Sequence, residues 1–197
     1  NAIYKMNRFI ASIQEHAAHI PSDPFLGQGT VVVSVIECKS PSINAVPDEC
    51  TIYLDRRLTF GETKESAIAA LRALPGADVV EFHEMLYDEP SYTGFRFPVD
   101  KYFPAWAVPE ASPLVQAAVH TTQALWGKPA PISRWNFSTN GIYWAGKANI
   151  PCIGFAPSHE KWAHTVEDQV PLSDVVRATE FYTLLPVLLQ AQLDAAR

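Results

Sequence analysis

Residues 154–165, Gly-Phe-Ala-Pro-Ser-His-Glu-Lys-Trp-Ala-His-Thr, set two histidines and a glutamate beyond a short apolar run at 150–155. An imidazole at such a loop end is a competent metal donor, but a catalytic zinc site takes three or more protein ligands. His159-Glu160 opens like the HExxH helix motif, yet the second histidine falls at His164, five positions on. At about 100° per residue the two rings lie on different helix faces, and Pro157 sits just ahead, so that motif is excluded. His16, His19, His83 and His120 lie on amphipathic or alternating segments and read as surface or half-buried imidazoles. The three cysteines, Cys38, Cys50 and Cys152, are odd in number, lack CxxC spacing and have apolar neighbours. They read as buried, reduced thiols rather than a disulfide framework. A serine or cysteine hydrolase has little support: there is no Gly-x-Ser-x-Gly elbow, and Cys152 follows Pro151 in an apolar stretch.

These residues need a scaffold, and the chain is long enough to supply one. Its 197 residues, 48% hydrophobic and 18% charged, can bury a core as one domain or two small ones. A net charge of −6 without a basic stripe argues against nucleic acid or an anionic membrane as partner. No apolar run reaches the roughly 18 residues of a membrane span, and no signal peptide opens the chain, so a cytoplasmic protein is expected. The chain begins at Asn1, directly in a helical pattern, which points to a piece of something longer.

Ile3, Met6, Phe9, Ile10 and Ile13 recur at helical steps and predict an amphipathic helix over residues 2–19, stopped by Pro21 and Pro24. Residues 30–38 and 50–58 are β-branched or alternating and read as two strands. A helix over 63–74, ended by Pro75-Gly76, and a strand over 77–85 follow. The order α-β-β-α-β is that of a split βαβ sandwich without its first strand. Residues 87–109 are proline- and aromatic-rich and read as a linker or long ordered loop. Ser112-Pro113 then caps a new helix that runs to Trp126-Gly127. A short strand at 132–135, a polar turn at 136–141, a short helix, a strand at 150–155 and a closing helix from Leu172, kinked at Pro186, complete an α/β segment. Asn136-Phe137-Ser138 matches a glycosylation acceptor and is read as chance.

Three blocks then converge. Ser42 through Cys50 followed by Asp55-Arg56-Arg57, Arg134 with Phe137-Ser138-Thr139-Asn140-Gly141, and Gly154 through Ala163-His164-Thr165 together resemble the carboxy-terminal part of the M20 family of metallopeptidases and amidohydrolases. Within it, the likeness points to the subgroup of selenium-metabolism-linked hydrolases. It runs over nearly the whole chain. The fold it implies is α/β with an α+β lid. Residues 1–109 would be a partial ferredoxin-like βαββαβ dimerisation lid lacking its first strand, with a linker. Residues 110–197 would be the carboxy-terminal part of a zinc-peptidase-like α/β catalytic domain.

The resemblance also implies roles. His164 matches a ligand of one ion in a two-zinc site, a task for which a neutral imidazole is suited. Arg134 matches an arginine that clamps a substrate carboxylate through its two-pronged donor geometry, against a plain surface ion pair. Asn44 matches a lid asparagine that reaches the substrate and can donate to a developing oxyanion, against a loop asparagine making its own turn. Arg57 is assigned either to substrate or, more simply, to an ion pair with Asp55 on the same strand face. Thr139 and Asn140 fit substrate binding and helix capping equally. Where many members have glycines before the ligand histidine, this chain has Ala156, Pro157 and Ser158, which disfavours a positive φ there.

The implied activity is metal-activated hydrolysis of an amide or peptide bond in a small carboxylate-bearing substrate, with a homodimer formed through the lid. Zinc is the implied cofactor, with cobalt or manganese equally compatible with one histidine. The general base and most ligands would lie outside this sequence, so the fragment alone is expected to be inactive and to bind no stoichiometric metal. The alternative from another class is a non-catalytic binding or dimerisation module that reuses the lid.

Overall fold

The computed structural model of the chain describes residues 1–135 and 137–195. It divides into two units, Asn1–Ala105 and Trp106–Arg197. Both mix helices with irregular chain, and the sheets present are small and antiparallel, so the class is α+β.

In the first unit, α1 (Ala2–Ala17) starts because the Asn1 side chain accepts from the Ile3 N–H, satisfying a donor the helix cannot. Its apolar stripe, Met6, Phe9 and Ile13, is buried with Ile20, Val31, Leu71 and Ala77. Two minimal strands, β1 (Ser22–Asp23) and β2 (Gly27–Gln28), form a tight reversal after α1. The long hairpin follows: β3 (Thr30–Lys39) pairs antiparallel with β4 (Glu49–Arg57), with an irregularity between Val33 and Val35. Cys50, Ile52 and Leu54, at alternate positions of β4, pack against the α1 core. Helix α2 (Lys64–Arg72) begins in a reciprocal capping box between Thr63 and Ser66. The chain leaves α2 through Gly76 at φ +86°, where a Cβ would come within 3.2 Å of the Phe9 amide nitrogen. Only glycine meets both demands, and Ser12 fixes the same approach by donating to the Phe9 and Pro75 carbonyls.

Residues 77–85, expected as a strand, are not one. Ala77–Val79 is a 3₁₀ turn, and residues 80–85 join no ladder, although the Met85 carbonyl at their end accepts from the Lys101 N–H at 2.9 Å. The alternation was real: Val80 and Phe82 pack on the core, with Phe82 edge-on to Phe9 at 5.7 Å, while Glu81 and His83 are turned outward. Alternation records one-sided burial; a strand also needs a backbone ladder, and one hydrogen bond at Met85 does not make one. Leu86–Tyr87 (β5) and Val99–Asp100 (β6) make a two-rung ladder within the proline-rich stretch.

In the second unit, α3 (Pro113–Trp126) has Ser112 as its cap, Pro113 in its first turn and Gly127 in the left-handed conformation after its end. It packs on α4 (Leu172–Ala195), which continues through Pro186. Ala117, Phe181 and Leu185 are buried between them, with Ile153 and Phe155 laid against the cluster. Phe155 stacks on Phe181 at 3.8 Å between centroids, and the Tyr182 hydroxyl donates to the Phe155 carbonyl. The strands expected at 132–135 and 150–155 are irregular chain without a ladder. Residues 132–135 are exposed throughout, and the 150–155 run is apolar because it buries side chains on the helices, not because it pairs. Among the described residues this unit therefore holds helices without a sheet. The cysteine expectation also needs correcting: Cys38 is exposed, and Cys50 and Cys152 are half-buried. No helix among the described residues is long and apolar enough to cross a membrane.

Candidate functional site

Two of the three sequence blocks meet in the second unit. Trp135 stacks on Phe137 at 5.6 Å, and Phe137 meets the His164 ring edge-on at 6.0 Å. Gly154 lies beneath Trp135, so close that a Cβ would stand 2.5 Å from the indole ring. The loop after the 150–155 run and the turn that follows Arg134 are thereby held face to face by aromatic contact. Gly141, at the end of that turn, is similarly covered by the Trp106 indole, 2.3 Å from where a Cβ would be.

On this platform Arg134 is exposed, immediately before Trp135. The Thr139 hydroxyl accepts from the Gly141 N–H at 3.2 Å, and the Thr139 and Asn140 carbonyls accept from Ile142 and Tyr143 at 3.1 Å each. These bonds start the π-helical turn Ile142–Lys147. The capping role is thus filled by Thr139 and by backbone, while the Asn140 side chain is exposed. Asn136, the first residue of the expected polar turn and of the glycosylation-like triplet, lies outside the described residues.

His164 is exposed and sits at φ +61°, and Ser158 at φ +75°. Positive φ at non-glycine residues costs about 1–2 kcal/mol each. The loop thus adopts the backbone its composition disfavours, and Ser158 is tethered there by donating to the Gln169 carbonyl at 2.6 Å. Between them, Glu160–Trp162 is a 3₁₀ turn in which His159 Nδ1 accepts from the Lys161 N–H at 3.1 Å. His159 is therefore a local cap, and the geometry of an HExxH helix is not present. Thr165 closes the loop by donating to the Trp162 carbonyl at 2.9 Å and accepting from the Glu167 N–H.

The remaining candidates lie in the first unit. Asn44 is exposed in the loop between β3 and β4, where Ser40 donates to the Ser42 and Ala45 carbonyls at 2.7 and 3.1 Å. The Asn44 side chain is left facing solvent by a turn that other groups stabilise. Arg57, the last residue of β4, makes the intrastrand ion pair with Asp55 at 3.2 Å.

Among the described residues, no three His, Cys, Asp or Glu side chains come together to hold a metal ion. By itself the donor set of these residues does not fit a two-ion centre. What this chain offers such a centre is a single imidazole. Sequence reasoning assigned no role to Trp135 or Phe137, although they fix the position of both loops. Their signal was present as large aromatics flanking Arg134 and Thr139, but an aromatic beside a polar turn is more often packing than platform.

The family model for the peptidase dimerisation domain of M20 proteins matches residues 1–83. A relative in Escherichia coli strain K12, the uncharacterized protein YgeY, is 41% identical over 191 residues, covering 95% of this chain and 47% of its own length. The N-formyl-4-amino-5-aminomethyl-2-methylpyrimidine deformylase of Halalkalibacterium halodurans is 26% identical over 191 residues, covering 91% of this chain and 44% of its own length. The chain spans about half the length of the curated relatives it matches. The first 83 residues thus match the dimerisation domain of M20 peptidases, and the similarity to these relatives runs on through the aromatic-braced loops of the second unit.

Proposed function

We propose that the chain forms part of a metal-dependent hydrolase that cleaves an amide or peptide bond in a small substrate bearing a carboxylate. The observation that carries this reading is the contact of Phe137 with His164 and of Trp135 with Gly154, which sets Arg134, Asn140 and His164 on neighbouring loops. Arg134 supplies the two-pronged donor for the carboxylate, and Thr139 and Asn140 line the same turn. His164 is this chain's one donor to zinc, and the dependence on zinc belongs to the whole protein. The Halalkalibacterium relative is named for removing a formyl group from an amine, which is an amide cleavage and agrees with the reaction class.

The test uses the full-length protein with a panel of N-formyl and N-acyl amino acids and dipeptides, with and without added zinc. Arg134→Ala should raise KM for carboxylate-bearing substrates by about 10–100-fold, a loss of about 1.4–2.7 kcal/mol, with a smaller change in kcat. His164→Ala should lower kcat/KM and metal content together. A full-length protein that hydrolyses none of these amides, or an Arg134→Ala variant with unchanged KM, overturns the reading.

A second reading keeps one observation of its own. The family match falls within residues 1–83 and describes dimerisation, not catalysis. A non-catalytic pairing module predicts self-association with neither zinc uptake nor hydrolysis in the full-length protein. In both readings a second copy pairs through the lid, by α1 and the open edge of β3.

A further inference from the structure

The long hairpin places two thiols directly opposite each other. Cys38 on β3 and Cys50 on β4 are cross-strand partners, and their Sγ atoms are 3.3 Å apart. Directly opposed residues of an antiparallel pair lie about 4.5–5.5 Å apart at Cα, inside the 4.4–6.8 Å range that a disulfide spans. Shortening the contact to a bond of about 2.05 Å therefore needs only side-chain rotation. The two thiols also differ in access. Cys38 is exposed, whereas Cys50 is half-buried against the α1 core. Cys152 has no such partner placement: it belongs to the other unit and its thiol lies 3.8 Å from the Ile153 carbonyl.

We infer that Cys38 and Cys50 form a redox-active dithiol that low-molecular-weight disulfides of the glutathione class oxidise to an intrachain cross-strand disulfide. In the first step the Cys38 thiolate attacks one sulfur of the small disulfide; its S–S bond breaks, a mixed disulfide forms on Cys38 and one small thiolate leaves. In the second, Cys50 gives its proton to solvent and its sulfur attacks Cys38 Sγ, expelling the second small thiolate. Two protein thiols lose two electrons and two protons, and the small disulfide becomes two thiols. Burial, and then the hydrogen bond and charge of Cys38, push the Cys50 thiol up to about 11. The exposed Cys38 is therefore the thiol placed for the first attack, and its conversion to a mixed disulfide removes the hydrogen bond and charge that hold Cys50 up, so that Cys50 can then act as the resolving thiolate. The bond would staple the strand ends that carry residues 40–48, the loop holding Asn44, next to the Lys39–Glu49 ion pair at 2.7 Å.

The experiment is incubation of the reduced, desalted chain with glutathione disulfide at neutral pH, followed by thiol titration, intact mass and peptide mapping. The expected result is a fall from three free thiols to one, a mass lower by two hydrogen atoms, and a Cys38–Cys50 cross-linked peptide that a thiol reductant reverses. Cys50→Ser should instead accumulate a glutathione adduct on Cys38, and Cys152→Ser should still close the ring. If Cys50→Ser fails to fold because Cys50 touches the core, Cys38→Ser at the exposed position carries the test, and must lose ring closure while Cys50 stays unmodified. Three persistent thiols, a stable glutathione adduct on the unsubstituted chain, or cross-links through Cys152 or between chains would overturn the inference.

Discussion

Arg56 and Glu62 pair with their side chains only 11% and 10% exposed, beside the turn that leaves β4. The second Glu62 oxygen accepts from the Thr59 N–H at 2.9 Å, Thr59 donates to the Gly27 carbonyl at 2.6 Å, and Gly29 presses on the group so closely that a Cβ would stand 2.8 Å from the Arg56 guanidinium. Breaking a pair this well shielded leaves a charge without its partner, whereas replacing both members with apolar residues removes the desolvation penalty as well. Glu62→Gln should therefore destabilise the first unit by about 3 kcal/mol, and Arg56→Met with Glu62→Leu should recover most of that. Urea denaturation followed by circular dichroism measures both. Equal losses in the single and double variants would show that packing, not charge, matters at this position. The strand pattern puts Arg56 on the face of Ile52 and Leu54, but nothing in the spacing named Glu62 as its partner, because only the turn after β4 brings Glu62 back to it.

Helix α2 shows how an element is held by its ends. Thr63 caps it, and the Glu65 carboxyl lies below its ordinary value of 4.5, held there by a hydrogen bond from its own backbone N–H and by one from Thr63. A folded-state value that is depressed gives stability that is present above 4.5 and is lost as pH falls through the folded value. Thr63→Ala should cost about 1 kcal/mol at neutral pH from the lost cap. The gap between the variant and the unsubstituted chain should narrow below pH 4.5, as the Thr63–Glu65 hydrogen bond stops favouring the charged carboxylate. Thermal unfolding across pH 3–7 reads this directly, and a gap that widens in acid would contradict it. The helix was legible from the apolar residues that follow Thr63, but its capping box, with Ser66 where the usual pattern has Glu or Gln, was not. The ion pairs that tie the helix start to later chain, Lys64 with Glu84 at 2.7 Å and Asp100 at 3.2 Å, were not, because their partners are 20 and 36 residues away.

At the scale of the molecule, each unit closes a core of its own, one around Phe9 and the other around Phe181. The open edge of β3 and its exposed Val32, Val35 and Ile36 suit pairing with a second copy, since an unpaired edge offers a row of unsatisfied backbone groups. The full-length protein should run at twice its monomer mass in light scattering, and Ile36→Lys should raise the dimer dissociation constant at least about tenfold, equivalent to about 1.4 kcal/mol. A monomeric unsubstituted protein at micromolar concentration would rule this pairing out.

The sequence alone determined the four longer helices and the β3–β4 hairpin, because each is written in local terms: Ser112 as a cap, Pro75-Gly76 and Gly127 as exits, and apolar periods that match the element. It also carried the resemblance to M20 proteins, through three short blocks in order, and the dimerisation-domain match falls on the first of them. Only the tertiary structure decided that residues 77–85 and 150–155 bury one side without joining a sheet, that Cys38 faces Cys50, and that Trp135 and Phe137 brace the His164 loop. Those outcomes depend on partners far away in the chain, and a one-dimensional pattern can report that a side chain is buried but not which backbone or ring it meets.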